Sequence, residues 1–205
     1  MPSSPVGHAS IYLGIRGPVL ATADLGVTGE AAFALACELI ESGEAPAMLA
    51  GSVEERNVIT DRVLGPVCSG SAGWRGARTE GSSVVVLEEE SHATARGAKA
   101  LCRVAHVSSG RGASARPLAS LPAPTGERPL VIVPREDDAT ARALASSPWS
   151  NVDRVEVASR AGNHEGLGGL CVAVAASAIA DGRATEALVF GLAPDRWAAI
   201  ILMAL

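Results

Sequence analysis

The residues that could do chemistry are few. His164 stands next to Glu165 in AGNHEG, and Asp24 lies just ahead of a helix-like stretch. An imidazole or a carboxylate can take up and give back a proton, so His164, Glu165 and Asp24 are the candidates for acid–base work. As a plain alternative, His164 is a helix-start histidine with a structural hydrogen bond. His92 and His106 have no partner in their sequence surroundings and receive no role. The cysteines are Cys37, Cys68, Cys102 and Cys171, with no C-x-x-C pair, so a zinc site is not expected. Cys37 and Cys171 sit inside apolar helical patterns and are expected to be inert core residues. GPVCSG and SGSAGW are loop glycines rather than a nucleophile elbow, and GLGG lacks the remaining signature of a phosphate loop. No cofactor is called for.

The elements that must position these residues follow from apolar periodicity. Residues 17–25 read as a short strand, 28–42 as a helix with Glu30 in its first turn, and 46–50 as a buried strand, an opening consistent with a parallel crossover unit. Residues 56–80 read as a loop. The valine run in 82–88 suggests a strand buried on both faces. A helix is expected over 89–98, a strand over 99–108 and a Gly/Ser/Pro-rich linker over 109–128. Strands at 130–134, 152–158, 186–191 and 197–204 alternate with helices at 136–146 and 165–181. The last helix is so rich in small apolar residues that another helix must pack closely against it.

The chain has 205 residues, enough for one domain or two small lobes, and only 3% are aromatic, so the core must be built from small aliphatic side chains. A net charge of −5 with scattered arginines (Arg75 and Arg78, Arg111 and Arg116, Arg154 and Arg160) argues against a nucleic-acid partner. The start carries no signal-peptide pattern, and the longest apolar runs are too short for a membrane span. A cytoplasmic location with reduced thiols is the default expectation.

Three ordered segments resemble the thiolase-like condensing enzymes, specifically the β-ketoacyl synthases: GIRGPVLATADLGVTGEAAFALACELIESGEAPAMLAGSVE (14–54), TEGSSVVVLEEESHATARGAKALCRV (79–104) and VASRAGNHEGLGGLCVAVAASAIADG (157–182). The resemblance implies a layered α/β fold with mixed sheets and a buried small-residue helix. It implies a remnant N-terminal lobe over 1–108, the linker at 109–128 and a shortened C-terminal lobe over 129–205, or one compact domain.

The family's chemistry needs a thiolate at a helix N-terminus, two histidines and a lysine. The gapless match puts Gly26 at the cysteine position and places the first histidine position near Pro134 or Arg135. The second falls at Asn163, with the lysine position at Ala158. A one-residue shift would use His164 and Ser159 instead.

The resemblance extends to subunits of the family that lack the cysteine, such as chain-length factors. It therefore implies a non-catalytic partner in fatty-acid or polyketide assembly. Such a subunit pairs with a ketosynthase-like chain or with itself through the strand Val19, Leu20, Ala21, Thr22 and Ala23, and meets an acyl carrier protein. Two other readings stand beside it: a residual enzyme using His164, and a binding protein that keeps a cleft for an acyl or CoA-like ligand.

Overall fold

The computed structural model describes residues 4–24, 26–69, 78–112 and 116–205, with the backbone alone at 4–5, 64–69 and 116–117. Its elements run α1 Ser4–Leu13, α2 Thr28–Glu41, β1 Ala47–Glu54, α3 Val58–Ser69, β2 Gly81–Glu88, α4 Glu90–Ala95, β3 Arg103–Arg111 and α5 Arg116–Ala119. They continue with β4 Pro129–Val133, α6 Asp138–Ala145, β5 Arg154–Glu156, α7 Ala158–Ala161, α8 Leu167–Ala180, β6 Glu186–Leu192 and β7 Arg196–Met203.

Two sheets enclose a pair of helices. β1 and β2 form an antiparallel pair, and the second sheet has the order β3-β7-β6-β4-β5, parallel at β5, β4 and β6 and antiparallel at β7 and β3. Alternation along the strands decides which layer each residue joins. Ile132, Ala187, Val189, Ile200 and Leu202 face α8 and α2, meeting Phe33, Ala36, Cys37, Cys171, Val172 and Ala175. Their neighbours Val131, Val133, Leu188, Phe190, Ala199 and Ile201 face the opposite way, into a second apolar layer with Leu144 and Trp149. This is the layered α/β arrangement that the resemblance implies, with one mixed sheet and one antiparallel pair in place of two mixed sheets.

The small residues of α8 allow the close approach expected of it. A Cβ placed on Gly29 of α2 would collide with the backbone nitrogen of Gly169. The two helices therefore meet backbone to backbone, as only glycine permits.

Several local expectations are corrected. Residues 17–24 form no strand, and Val19 and Leu20 are 47% and 50% exposed. A strand satisfies its backbone groups only through a neighbour, and the single chain offers none there. The parallel crossover at the start is consequently not formed, and β1 pairs antiparallel with β2 instead. The expected loop at 56–80 contains α3, whose start is fixed by Asn57: its Oδ1 accepts from the amides of Ile59 and Thr60 at 3.0 Å each. Arg75, the SGSAGW stretch beyond Ser69 and the Cys68 side chain lie outside the described residues.

The valine run is also buried on one side only. Val85 packs inward, while Val84 and Val86 are 64% and 62% exposed. β3 extends to Arg111, beyond the expected end at 108, and its pairing with β7 shifts between Val104 and His106. The segment that follows is tied to the large sheet: Thr125 and Gly126 donate their amides to Glu186 at 2.8 and 3.0 Å, and Trp149 Nε1 donates to the Pro122 carbonyl at 2.9 Å. α1 was not among the expected elements; its SPVGHASIYL sequence has no apolar stripe to announce it.

Candidate functional site

The heads of α2 and α8 meet at one place. The approach to α2 is a turn closed by Asp24, whose carbonyl accepts from the Val27 amide at 3.0 Å and from Thr28 Oγ1 at 2.6 Å. The Asp24 carboxylate accepts from Thr22 Oγ1 at 2.9 Å and is ion-paired with Arg196 of β7. Gly26 turns the chain into the helix with a φ of +87°, and a Cβ there would lie 3.1 Å from the Cβ of Ala193. Its amide donates to the Glu165 carboxylate at 2.6 Å. An anion at the N-terminus of a helix is favoured by the exposed amides and the helix dipole; here the protein's own side chain supplies it.

The α8 approach is held from three sides. Arg135, which follows β4, donates from Nε to Asn163 Oδ1 at 3.0 Å and from its terminal nitrogen to the His164 carbonyl at 3.2 Å. Thr79 donates its amide to the Asn163 carbonyl at 2.8 Å, and Ser52 Oγ donates to the Gly166 carbonyl at 2.8 Å. The Glu165 amide donates to Glu54, which is itself in a buried ion pair with Arg78. Nearby, the Ala158 amide donates to the Pro134 carbonyl at 3.0 Å, while Ser159 is exposed and donates to the Glu156 carbonyl.

The structure thus brings Gly26, Asn163, His164, Glu165 and Arg135 together, with Pro134 and Ala158 joined just behind them. It also places Asp24 at the α2 turn. His92 lies on α4 against Glu88, and His106 on β3 against Ser108, away from this place.

His164 is 2% exposed, and its Nδ1 has no hydrogen-bond partner among the described residues. Burial, with help from the Arg135 cation, lowers its pKa, so the ring is neutral around pH 7. Glu30, on the first turn of α2, is completely buried, and among the described residues no side chain hydrogen-bonds either carboxylate oxygen. Burial raises its pKa to about 7, and the Glu165 charge pushes the same way; a backbone hydrogen bond and Arg135 oppose them. The sequence marked Glu30 only as a first-turn acid, which is ordinarily a solvated capping group. Only the packing shows that it faces inward.

The described cysteines are poorly placed for nucleophilic work. Burial, and then Glu41 and Glu38, push the Cys37 thiol to about 12. Burial raises Cys102, and Cys171 is driven well up by burial and by Glu30. All three stay protonated near neutrality, and the thiolate is the nucleophilic form.

An open cleft of about 800 Å³ lies between α3 and the start of β2, lined by Arg56, Asn57, Asp61, Arg78 and Glu80, rather than over Gly26. Among the described residues no group of three or more His, Cys, Asp or Glu side chains could hold a metal ion, and no helix is long and apolar enough to cross a membrane.

The family model described as "Beta-ketoacyl synthase, N-terminal domain" matches residues 1–61. Nodulation protein E of Rhizobium leguminosarum bv. trifolii is 39% identical over 117 residues, covering 52% of this chain and 29% of that protein. 3-oxoacyl-[acyl-carrier-protein] synthase 2 of Vibrio harveyi is 33% identical over 111 residues, 45% of this chain and 26% of that protein. The matches therefore span less than a third of the length of these relatives.

Among solved structures, the AntDE:AntF complex, described as a type II PKS acyl-carrier protein in complex with its ketosynthase, superposes with a TM-score of 0.83 at 19% identity. That match covers all of this chain and 65% of the other. The ishigamide ketosynthase/chain length factor gives 0.81 at 15% identity over all of this chain and 66% of that one. At such identities the structures speak for the fold, and the sequence matches for the relationship. Together they show a chain with the thiolase-like ketosynthase fold that is similar, over part of its sequence, to the β-ketoacyl synthases.

Proposed function

We propose that this chain is a ketosynthase-like subunit that carries no acyl group itself and serves a partner in fatty-acid or polyketide assembly. One observation carries the reading. Gly26, which the resemblance over residues 14–54 sets at the family's cysteine position, has no side chain, and its amide is already engaged by Glu165 at 2.6 Å. Forming an acyl thioester needs a thiolate at the head of the helix. The described cysteines support the reading too, since their thiols are all raised. The resemblance sets the first histidine position near Pro134 or Arg135, neither of which is a histidine, and Arg135 is used to hold Asn163 and His164.

A partner is supported by what the single chain leaves uncovered. Val19 and Leu20 are exposed in a segment without strand pairing, and Val84 and Val86 face outward from β2. An unpaired strand-like segment and apolar sheet residues are the material of an interface. In our reading, residues 19–23 pair with a ketosynthase-like chain, and the assembled pair meets an acyl carrier protein.

The test has two arms. Intact-mass measurement after incubation with labelled malonyl- and acyl-loaded carrier proteins is expected to show no adduct. A covalent acyl group on the chain, or turnover lost on His164→Ala, would overturn the non-catalytic part in favour of a residual acyltransferase. Native mass spectrometry with an active ketosynthase from the same source is expected to show a one-to-one complex that Leu20→Asp abolishes. A chain that stays monomeric in that mixture would overturn the partner part.

A further inference from the structure

Glu30 is placed in the fold in a way that the proposed function does not use. It sits in the first turn of α2, fully shielded from solvent, with no side chain among the described residues hydrogen-bonded to its carboxylate and only its own backbone amide acting as donor toward it. The room for it is made by two glycines on different elements. A Cβ on Gly168 of α8 or on Gly191 of β6 would collide with the Glu30 carboxylate, and the Gly191 position also touches Val27 at 3.2 Å. The acid therefore fills a notch where α2, α8 and β6 meet, one turn from the Gly26–Glu165 contact.

The charged and titratable groups that act on it are few. Arg135, after β4, attracts its ionised form, and Glu165, ahead of α8, repels it. α8 contributes the Cys171 thiol, which stays protonated, and β6 presents only the Gly191 backbone. Arg135 is already committed to Asn163 and to the His164 carbonyl. A neutral carboxylic acid fits this notch. A carboxylate there, favoured only by its own backbone amide and without a side-chain donor, carries a heavy desolvation cost and draws on the guanidinium that fixes the α8 approach.

We propose that Glu30 is a proton-dependent latch on the seam between α2, α8 and β6: neutral, it closes the seam, and ionised, it loosens the α2 head and the Gly26–Glu165 contact. The sign follows from linkage. An exposed glutamate in the unfolded chain ionises near 4.5, whereas the folded chain keeps the proton up to about 7. Stability from this group is complete below 4.5, declines as pH rises between those values, and stays lower above them. His164 acts oppositely, below about 6.5, because its folded pKa is lowered from that value. Comparing the wild type with Glu30→Gln at each pH cancels the His164 contribution.

The experiment is thermal melting of the full chain from pH 5 to 8, with amide exchange at pH 8. The expected result is that the wild type loses on the order of 5–10 °C in Tm relative to Glu30→Gln across that range. The amides of residues 26–31 should also exchange faster at pH 8 in the wild type than in the variant. Parallel pH trends in the two proteins, or equal exchange at pH 8, would overturn the latch. If Glu30→Gln does not fold, a carbon NMR titration of the wild-type glutamate carboxyls decides instead. One carboxyl titrating near pH 7 supports the proposal, and none titrating above pH 5.5 overturns it.

Discussion

The Gly26 amide and the Glu165 carboxylate, 139 residues apart in the chain, are joined by a 2.6 Å hydrogen bond that ties the head of α2 to the approach of α8. Because the acceptor is charged, the bond is stronger than a neutral one. Glu165→Ala is expected to cost about 1–2 kcal/mol, read from urea denaturation, and Glu165→Gln, which keeps an acceptor, should cost less. Equal stability of Glu165→Ala and the wild type would show that the bond contributes nothing.

The turn at Gly26 rests on a φ of +87° and on the nearness of Ala193. Gly26→Ala pays a left-handed backbone penalty and presses on the Ala193 Cβ, for a loss of about 1–2 kcal/mol. The measurement is again the denaturation midpoint, and an unchanged midpoint contradicts it.

Gly29 is a harder constraint, because the obstacle is the Gly169 backbone nitrogen and cannot rotate away. Gly29→Ala should destabilise by about 3 kcal/mol or prevent folding, as overpacking at a helix contact does. Gly7→Ala is the comparison: it meets nothing within 4 Å and lies in exposed α1, so it should be neutral or slightly stabilising.

Thiol labelling separates the described cysteines. Cys171 and Cys37 are buried, and Cys102 is only partly so. With iodoacetamide at pH 8 and peptide mapping, Cys102 should be modified ahead of Cys37 and Cys171, whose labelling should wait for unfolding. Rapid labelling of Cys37 in the native chain would contradict a thiol pushed to about 12.

His164 sets the acid side of the stability profile. Its pKa is lowered in the fold, by burial first and by Arg135 second, so below about 6.5 the unfolded chain binds the proton more readily. Stability should therefore fall as pH drops below that value, and His164→Asn should flatten this fall. An acid limb identical in the variant would assign it to other groups.

Much of the architecture was legible in the residues themselves. The small-residue run that became Leu167–Ala180, the helix at Thr28–Glu41 and the apolar strands β4, β6 and β7 announced themselves, because burial on a helix or strand imposes its period on the residues that must be apolar. The three motif segments also carried the resemblance to the ketosynthases, and the family model's match, residues 1–61, covers the first of them. The reading faltered where local pattern needs a neighbour. Residues 17–24 have strand-like composition and no strand to pair with, and the valines of β2 have an outer face that nothing in the chain covers.

α3 went unrecognised because glycine and serine dominate its surroundings, while a single Asn57 cap and its turn were enough to start it. At the site, the sequence named Gly26, Asn163, His164 and Glu165 one at a time. That Glu165 reaches Gly26, that Arg135 holds Asn163 and His164, and that Glu30 is sealed between two glycines were decided only by the tertiary structure. Contacts between residues more than a hundred positions apart depend on how helices and sheets stack, and no local spacing encodes them.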